Sequence, residues 1–205
     1  MKQENFDWKS YIEKFSEHFS AFTGLPPWFF TSKASEIVAE ILSSLSNNYN
    51  IQDGVATHKS AILESNVTLK APVIIGSNCF VASNCYLRGG VFLLSDNSIG
   101  PGCEIKSSFI FPNSNLAHFN FIGDSIIGSG VNFEAGSITA NHFNERVNKE
   151  ISVLIDGGRV NTHVQKFGAL VGDGSKIGAN AVLSPGTILP PQSIVKRLEL
   201  VDQIK

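Results

Sequence analysis

Apolar residues recur at every sixth position along most of this chain. The first uninterrupted series consists of Leu63, Leu69, Ile75, Val81, Leu87, Leu93, Ile99 and Ile105. The same interval returns near the C-terminal end at Val171, Ile177, Leu183, Leu189 and Val195. A fixed short period predicts a solenoid, because each repeat can bury its apolar face only by stacking on the next repeat. We call these residues the anchors.

A second inward position is predicted four residues after most anchors. It holds small or apolar residues, namely Val67, Val73, Cys79, Cys85, Val91, Cys103, Phe109, Ser175, Ala181, Thr187 and Ser193. All three cysteines fall in this position, so we expect them to be buried and to be poor nucleophiles. Their odd number, in a chain whose polar N-terminus is unlike a secretory signal, argues against a disulfide framework.

The first fifty residues lack the six-residue period and follow a helical one instead. One predicted helix face consists of Trp8, Ile12, Phe15, Phe19 and Phe22. Gly24, Pro26 and Pro27 predict its end. Thr31 or Ser32 is expected to cap a second helix. The apolar face of that second helix consists of Ile37, Ile41 and Leu45, followed by an asparagine-rich linker.

The two periods divide the chain into three predicted parts. Residues 1–50 form a two-helix arm, residues 51–195 form the β domain with a loop insertion at about 140–166, and residues 196–205 form a cap. We expect the arm to dock on its own β domain or on a neighbouring subunit. The alternative use of its aromatic face, cofactor binding, stays open at this point.

Charge and hydropathy restrict the class of partner. Lys and Arg total 16 against 18 for Asp and Glu, so no overall field would attract nucleic acid or an anionic membrane. No apolar run is long enough to span a bilayer. We therefore expect a cytoplasmic protein that binds any anion through local groups.

Two cations occupy the same place in the repeat. Arg88 follows the anchor Leu87 and Lys106 follows the anchor Ile105, eighteen residues later. If three repeats complete one coil, the two side chains stack about 5 Å apart, the spacing of neighbouring strands. Such a pair is a candidate phosphate site. Two solvated charges that point away from each other are the alternative from geometry alone.

His118 is the candidate base. It follows Ala117, which continues the phase of Ile105, and this places it at an equivalent corner on another face of the solenoid. An imidazole suits proton transfer because its ordinary pKa lies near neutrality. From the pattern alone, a histidine at a surface or interface is the competing interpretation.

Three segments around His118 carry a family resemblance. Residues 118–124 read HFNFIGD, residues 132–141 read NFEAGSITAN, and residues 166–173 read KFGALVGD. Two five-residue repeats are expected at 117–121 and 122–126. Residues 57–195 thereby resemble the hexapeptide-repeat acyltransferases, in particular the acetyltransferase domain of the bifunctional enzymes that acetylate glucosamine-1-phosphate and then uridylylate it. Residues 156–173 are also similar to archaeal sugar-1-phosphate nucleotidylyltransferase/acetyltransferases.

The resemblance implies a fold, an assembly and a reaction. The fold would be a left-handed parallel β-helix, mainly β, preceded here by the helical arm, and the assembly a homotrimer with sites between subunits. The reaction would be transfer of an acetyl group from acetyl-CoA to an amine or hydroxyl of a sugar phosphate or nucleotide sugar, without a metal. Zinc chemistry is set aside because the spacing of His58, His118, His142 and His163 does not fit hexapeptide-repeat carbonic anhydrases.

The resemblance also implies residue roles. His118 matches the base, and Arg88 and Lys106 match the ligands of the sugar phosphate. The remaining matches are Asn132 and Asn141 for the sugar and acetyl group, and Ala135, Gly168 and Ala169 for acetyl-CoA.

Departures from the family pattern leave two other functions open. Phe121 and His142 replace tyrosines, Glu134 replaces a glycine, and Pro185 removes a backbone donor near the expected CoA site. No nucleotide-binding loop is found in the first fifty residues. One alternative is acyl transfer from acyl carrier protein, as in lipid A synthesis. The other is a non-catalytic β-helix subunit that serves assembly or ligand binding.

Overall fold

The computed structural model describes residues 6–204, and most of them form a solenoid of parallel strands. Each full coil has three faces, which we number in chain order. The first face contains β2 (Val55–His58), β5 (Val73–Ile75), the C-terminal halves of β7 (Tyr86–Leu93) and β9 (Glu104–Ile110), β12 (Ile126–Ile127), β17 (Ala169–Val171) and β20 (Thr187–Leu189).

The other two faces complete the coils. The second face contains β3 (Ile62–Leu63), β6 (Phe80–Val81), β8 (Ser98–Ile99), β10 (Asn115–Leu116), β13 (Asn132–Phe133), β18 (Lys176–Ile177) and β21 (Ile194–Val195). The third face contains β4 (Thr68–Lys70), the N-terminal halves of β7 and β9, β11 (Phe121–Gly123), β14 (Ile138–Thr139), β19 (Val182–Leu183) and β22 (Leu200–Val201). β1 (Tyr49–Gln52) pairs antiparallel with β2, and β15 (Ser152–Ile155) and β16 (Gly158–Asn161) form a hairpin in the insertion.

The predicted fold class, a left-handed parallel β-helix with an N-terminal helical arm, is confirmed. The anchors line one continuous interior, fully buried in the central coils and partly buried at Leu63 and Leu69. Leu200–Val201 lies within the predicted cap and adds a further strand to the third face.

The predicted phase is wrong between Ile105 and the next anchor. Ile105 is opposite Ile122 and Ile110 is opposite Ile127, so the coils here have seventeen residues and Ile110 follows Ile105 after only five. The first five-residue repeat therefore lies at 105–109 and not at 117–121, whereas the second, at 122–126, is where it was predicted. Leu116, not Ala117, is the following anchor.

This shift turns Phe109 outward. Ser108 takes the inward position, where it is fully buried and its hydroxyl donates to the carbonyl of Lys106 at 2.7 Å. Phe109 instead packs under the helical arm, 4.3 Å from the ring of Phe30. Two bulky rings, Phe109 and Phe111, thus flank Ile110, which is the one side chain of the three that enters the solenoid.

The arm is more broken than predicted. It comprises two 3₁₀ helices and three α-helices within the described residues: Trp8–Ser10, Ser20–Phe22, α1 (Phe15–Phe19), α2 (Pro27–Ser32) and α3 (Ala34–Ser43). Thr31 and Ser32 do not cap a helix but end α2, because Pro27 starts that helix at its first position. The hydroxyl of Thr31 donates back to the carbonyl of Pro27 at 3.2 Å.

The arm docks on the first face of its own chain, which is one of the two positions predicted for it. Its buried aromatic residues share one apolar cluster with the outward side chains of that face, including Ile74, Phe109, Ile126, Leu170 and Ile188. The insertion joins the same cluster through Phe143, Ile151, Val153 and Phe167. Within residues 6–204, no helix is long and apolar enough to cross a membrane.

The cysteines should resist alkylation until the protein unfolds. Each is about 1% exposed, and burial raises the pKa of the Cys79 thiol to about 11, whereas the hydrogen bond with Cys103 lowers the pKa of the Cys85 thiol to about 7. Because burial keeps the reagent away from all three sulfur atoms, the Cys85 thiolate included, we expect no iodoacetamide adduct on the native protein at pH 8 and three adducts in denaturant. Intact-mass spectrometry counts the adducts in both states. Rapid labelling of the native protein would contradict the burial of the cysteines.

Candidate functional site

A row of three cations lies on the third face. Lys70, Arg88 and Lys106 are in register on the adjacent strands β4, β7 and β9. The stack of Arg88 on Lys106 is the one that the period predicts. Lys70, which follows the anchor Leu69, extends it by one coil toward the N-terminus and is exposed.

Arg88 and Lys106 each have a carboxylate partner. Arg88 Nη2 lies 2.6 Å from Glu104 Oε1, and Arg88 Nε donates to the same oxygen at 2.8 Å. Lys106 Nζ donates to both oxygens of Asp124, at 2.9 and 2.8 Å, and to the hydroxyl of Ser107 at 3.3 Å. These pairs offset the repulsion between the stacked cations.

Asp124 connects Lys106 to Asn141. Asn141 is 8% exposed, and its Nδ2 donates to Asp124 Oδ2. On its other side, Asn141 Oδ1 lies 3.2 Å from His142 Nδ1. The structure thus brings together Arg88, Lys106 and Asn141 at the edge where the third face turns into the first.

Two of the residues predicted to bind acetyl-CoA follow this same edge. The N–H of Gly168 donates to the carbonyl of Asp124 at 2.9 Å. The N–H of Ala169 donates to Ser125 Oγ at 3.0 Å, and the Ala169 side chain points into the solenoid core. Both backbone donors are therefore engaged within the chain.

His118 lies at the opposite edge of the third face, in the turn that follows β10. Its side chain is exposed, and its carbonyl accepts the N–H of Gly136 at 3.0 Å. This hydrogen bond stacks His118 on the turn that contains Ala135. Asn132 is exposed at the start of β13, on the neighbouring second face. The corrected phase puts His118 two residues after its anchor, and not one as predicted.

Between these two edges, the third face is formed in this coil by β11. Phe121 and Gly123, at the two ends of β11, are two steps apart, or about 6.6 Å along an extended strand. A Cβ at Gly123 would lie 2.7 Å from the Phe121 ring and 2.9 Å from Asn141 Nδ2, so the ring covers this glycine. Phe121 therefore lies on the third face between His118 at one edge and the cation row at the other.

A groove of about 490 Å³ lies on the second face near its C-terminal end. Asn132, Lys176 and Lys196 line it, together with an ion pair in which Arg197 Nη2 donates to Glu134 Oε1 at 2.8 Å. The hydrogen bonds from Arg197 hold the pKa of the Glu134 carboxyl below its ordinary value. Glu134, a departure from the family pattern, is thus paired within the chain and remains charged at neutral pH.

Sequence reasoning did not single out Lys70, Glu104 or Asp124. Lys70 follows an anchor as Arg88 and Lys106 do, and Glu104 precedes Lys106 by two residues and so shares its face. Asp124 belongs to the quoted HFNFIGD segment. The period could have found the first two, but the ion pairs depend on how far each side chain reaches between coils.

Comparisons with known proteins support the sequence resemblance. No protein-family model matches the chain. It is 36% identical over 181 residues to the bifunctional protein GlmU of Methanococcus maripaludis strain C5, covering 86% of this chain and 43% of that protein. It is 33% identical over 150 residues to the bifunctional sugar-1-phosphate nucleotidylyltransferase/acetyltransferase of Sulfurisphaera tokodaii, covering 67% of this chain and 35% of that protein. The chain therefore spans less than half the length of these curated relatives.

The fold is shared with known structures. A Bacillus cereus protein assigned as an acetyltransferase superposes with a TM-score of 0.53 at 12% identity, over 70% of this chain and 74% of that chain. At this identity the likeness concerns the β-helix alone.

Proposed function

We propose that this chain, a hexapeptide-repeat β-helix protein homologous to the bifunctional GlmU proteins, transfers an acetyl group from acetyl-CoA to a sugar phosphate or nucleotide sugar. The observation that carries the proposal is the arrangement of side chains on the third face. The cation row and Asn141 lie at one edge of this face, and His118 lies at the other. In the proposed complex, a single acceptor extends across Phe121 between them.

The acceptor's phosphate binds at the cation row. Arg88 uses Nε and Nη2 toward Glu104, and a guanidinium has five N–H donors, so donors remain for a phosphate oxygen. Lys106 has all three N–H groups directed at Asp124 and Ser107, and it contributes mainly its charge. Lys70 is the exposed end of the same row.

The bound acceptor then attacks the thioester. His118 takes the proton from the attacking amine or hydroxyl as the new bond to the acetyl carbon forms. The carbon–sulfur bond breaks, and the thiolate of CoA leaves and receives that proton from the imidazolium. Asn141 of one chain and the backbone near Ala135 of a neighbouring chain hold the acetyl group, since the two lie at opposite edges of the third face within one chain. No side chain becomes acylated, which agrees with the burial of all three cysteines.

A second copy of the chain completes the cleft in this proposal. The arm and the insertion cover the first face, whereas the second and third faces carry exposed side chains such as Ile62, Ile194 and Leu200. A homotrimer that packs these free faces would enclose the acceptor between neighbouring chains and exclude water from it.

The test is release of free CoA from acetyl-CoA with a panel of amino-sugar phosphates, sugar phosphates and nucleotide sugars. We expect turnover with one class of acceptor. Arg88→Ala should raise the KM for that acceptor by roughly 10- to 100-fold, because a charged hydrogen bond is lost. Arg159→Ala, on the exposed strand β16, is the matched control and should leave KM unchanged.

Two results would decide against this function. If no acceptor is acetylated and acetyl-CoA does not bind, the chain is not an acetyltransferase. If Arg88→Ala and Arg159→Ala have the same KM for the acceptor, the cation row does not bind its phosphate.

A further inference from the structure

A buried carboxylate lies at the centre of the cation edge. The Asp124 side chain is 7% exposed, and it accepts two hydrogen bonds from Lys106 Nζ and one from Asn141 Nδ2. Lys106, Asp124 and Asn141 come from three successive coils, because Lys106 ends the N-terminal half of β9 and the other two follow β11 and β14. The carboxylate therefore joins the coils across the site.

The backbone holds Asp124 in place. Its N–H donates to the carbonyl of Lys106 at 2.8 Å, and its carbonyl accepts the N–H of Gly168 at 2.9 Å. Its φ of 46° lies in the left-handed region, which aspartate adopts more readily than most residues although glycine adopts it best. The aspartate at this corner supplies a carboxylate that glycine could not.

This carboxylate determines how both neighbours are oriented. A carboxylate only accepts hydrogen bonds, so the NH₂ group of Asn141 must face Asp124 and its Oδ1 must face away. Lys106 directs two of its three N–H donors at the same group, which fixes the position of its ammonium. Removing the charge of Asp124 would leave Lys106 without a counter-ion in a largely buried place.

We propose that Asp124 is a positioning residue that couples the cation of the acceptor site, Lys106, to the amide of the acetyl site, Asn141. This inference rests on the proposed acetyl transfer and adds to it. Asp124 does not touch either substrate. It acts through its two neighbours, so its loss should affect the acceptor and the acetyl donor together.

The kinetic test compares Asp124→Asn with Asp173→Asn. Asp173 is a matched control because its carboxylate accepts the N–H groups of Ser129 and Glu13, away from the third face. We expect Asp124→Asn to lower kcat/KM for both acceptor and acetyl-CoA by about 10²-fold, the effect of a small misplacement of reacting groups. Adding Asn141→Ala to Asp124→Asn should cost less than it costs in the wild type, because the two residues act as a unit.

A second measurement does not depend on turnover. Reductive methylation followed by mass spectrometry gives the relative reactivity of Lys106 and of Lys70, the exposed lysine of the same row. We expect Lys106 to react much more slowly than Lys70 in the wild type and in Asp173→Asn, and at a rate near that of Lys70 in Asp124→Asn. The thermal midpoint of each variant shows whether it is folded.

Two outcomes would overturn the inference. One is a wild-type Lys106 that is methylated as fast as Lys70. The other is an Asp124→Asn enzyme with the kcat/KM values of Asp173→Asn. A wild type that acetylates no acceptor would instead refute the proposed function, and the methylation rates would then decide alone whether Asp124 holds Lys106.

Discussion

His118→Ala is expected to lower kcat for acetyl transfer by about 10²- to 10⁴-fold, the usual contribution of a general base. The imidazole is exposed and only the backbone of His118 bonds to the neighbouring turn, so the variant should keep the stability of the wild type. The KM for the acceptor should change little, because phosphate binding is assigned to the opposite edge. Initial rates of CoA release at saturating substrates measure the effect.

His142→Ala is the matched control for this prediction. His142 lies beside Asn141 at the cation edge, where its Nδ1 is 3.2 Å from Asn141 Oδ1. If the base is His118, the His142 variant should retain most of the kcat. The reverse result, with His118→Ala active and His142→Ala inactive, would move the base to the cation edge and require a different pose of the acceptor.

Phe109→Ala is expected to lower the free energy of unfolding by about 3–5 kcal/mol, the usual cost of removing a buried phenylalanine. The ring is fully buried between the first face and the arm, at 4.3 Å from Phe30 and 5.4 Å from Phe19. The arm should also become sensitive to protease, since its contacts with the solenoid are weakened. Urea unfolding and limited proteolysis measure the two effects.

Phe119→Ala provides the comparison for Phe109→Ala. Phe119 is 69% exposed, so the same change of side chain should alter stability by no more than about 0.5 kcal/mol. Equal losses for the two variants would contradict the burial of Phe109, and a Phe109→Ala protein whose arm stays resistant to protease would contradict its position beneath the arm.

The sequence is sufficient to predict the solenoid because the period itself is the structural unit. Leu87 and Ile105 are neighbours in space, since eighteen residues make one coil in this part of the chain. The six-residue period no longer predicts which residues face inward where a coil has seventeen residues instead of eighteen. Both Phe109 and Ile110 are apolar and either could face inward, and only the arm, which covers Phe109, distinguishes them.

The candidate site, like the fold, can be predicted only in part from the sequence. The stack of Arg88 on Lys106 follows from their separation of eighteen residues, and the two are in register in the structure. Their pairing with Glu104 and Asp124 does not follow from counting, because it depends on side-chain length and direction across neighbouring coils. The helical spacing in the arm correctly marks Trp8, Ile12, Phe15 and Phe19 as buried, although the helix itself is interrupted.

The docked arm also gives an expectation for the order of folding. The N–H of Glu13 bonds to Asp173, 160 residues later, and the partner of Phe30 on the first face is Phe109. Such distant contacts form late, since each requires closure of a long loop. We therefore expect the aromatic residues of the arm to stay exposed to solvent until the first face of the solenoid has formed. Both tryptophans of the chain, Trp8 and Trp28, lie in this arm, so their fluorescence follows the docking of the arm and not the winding of the coils.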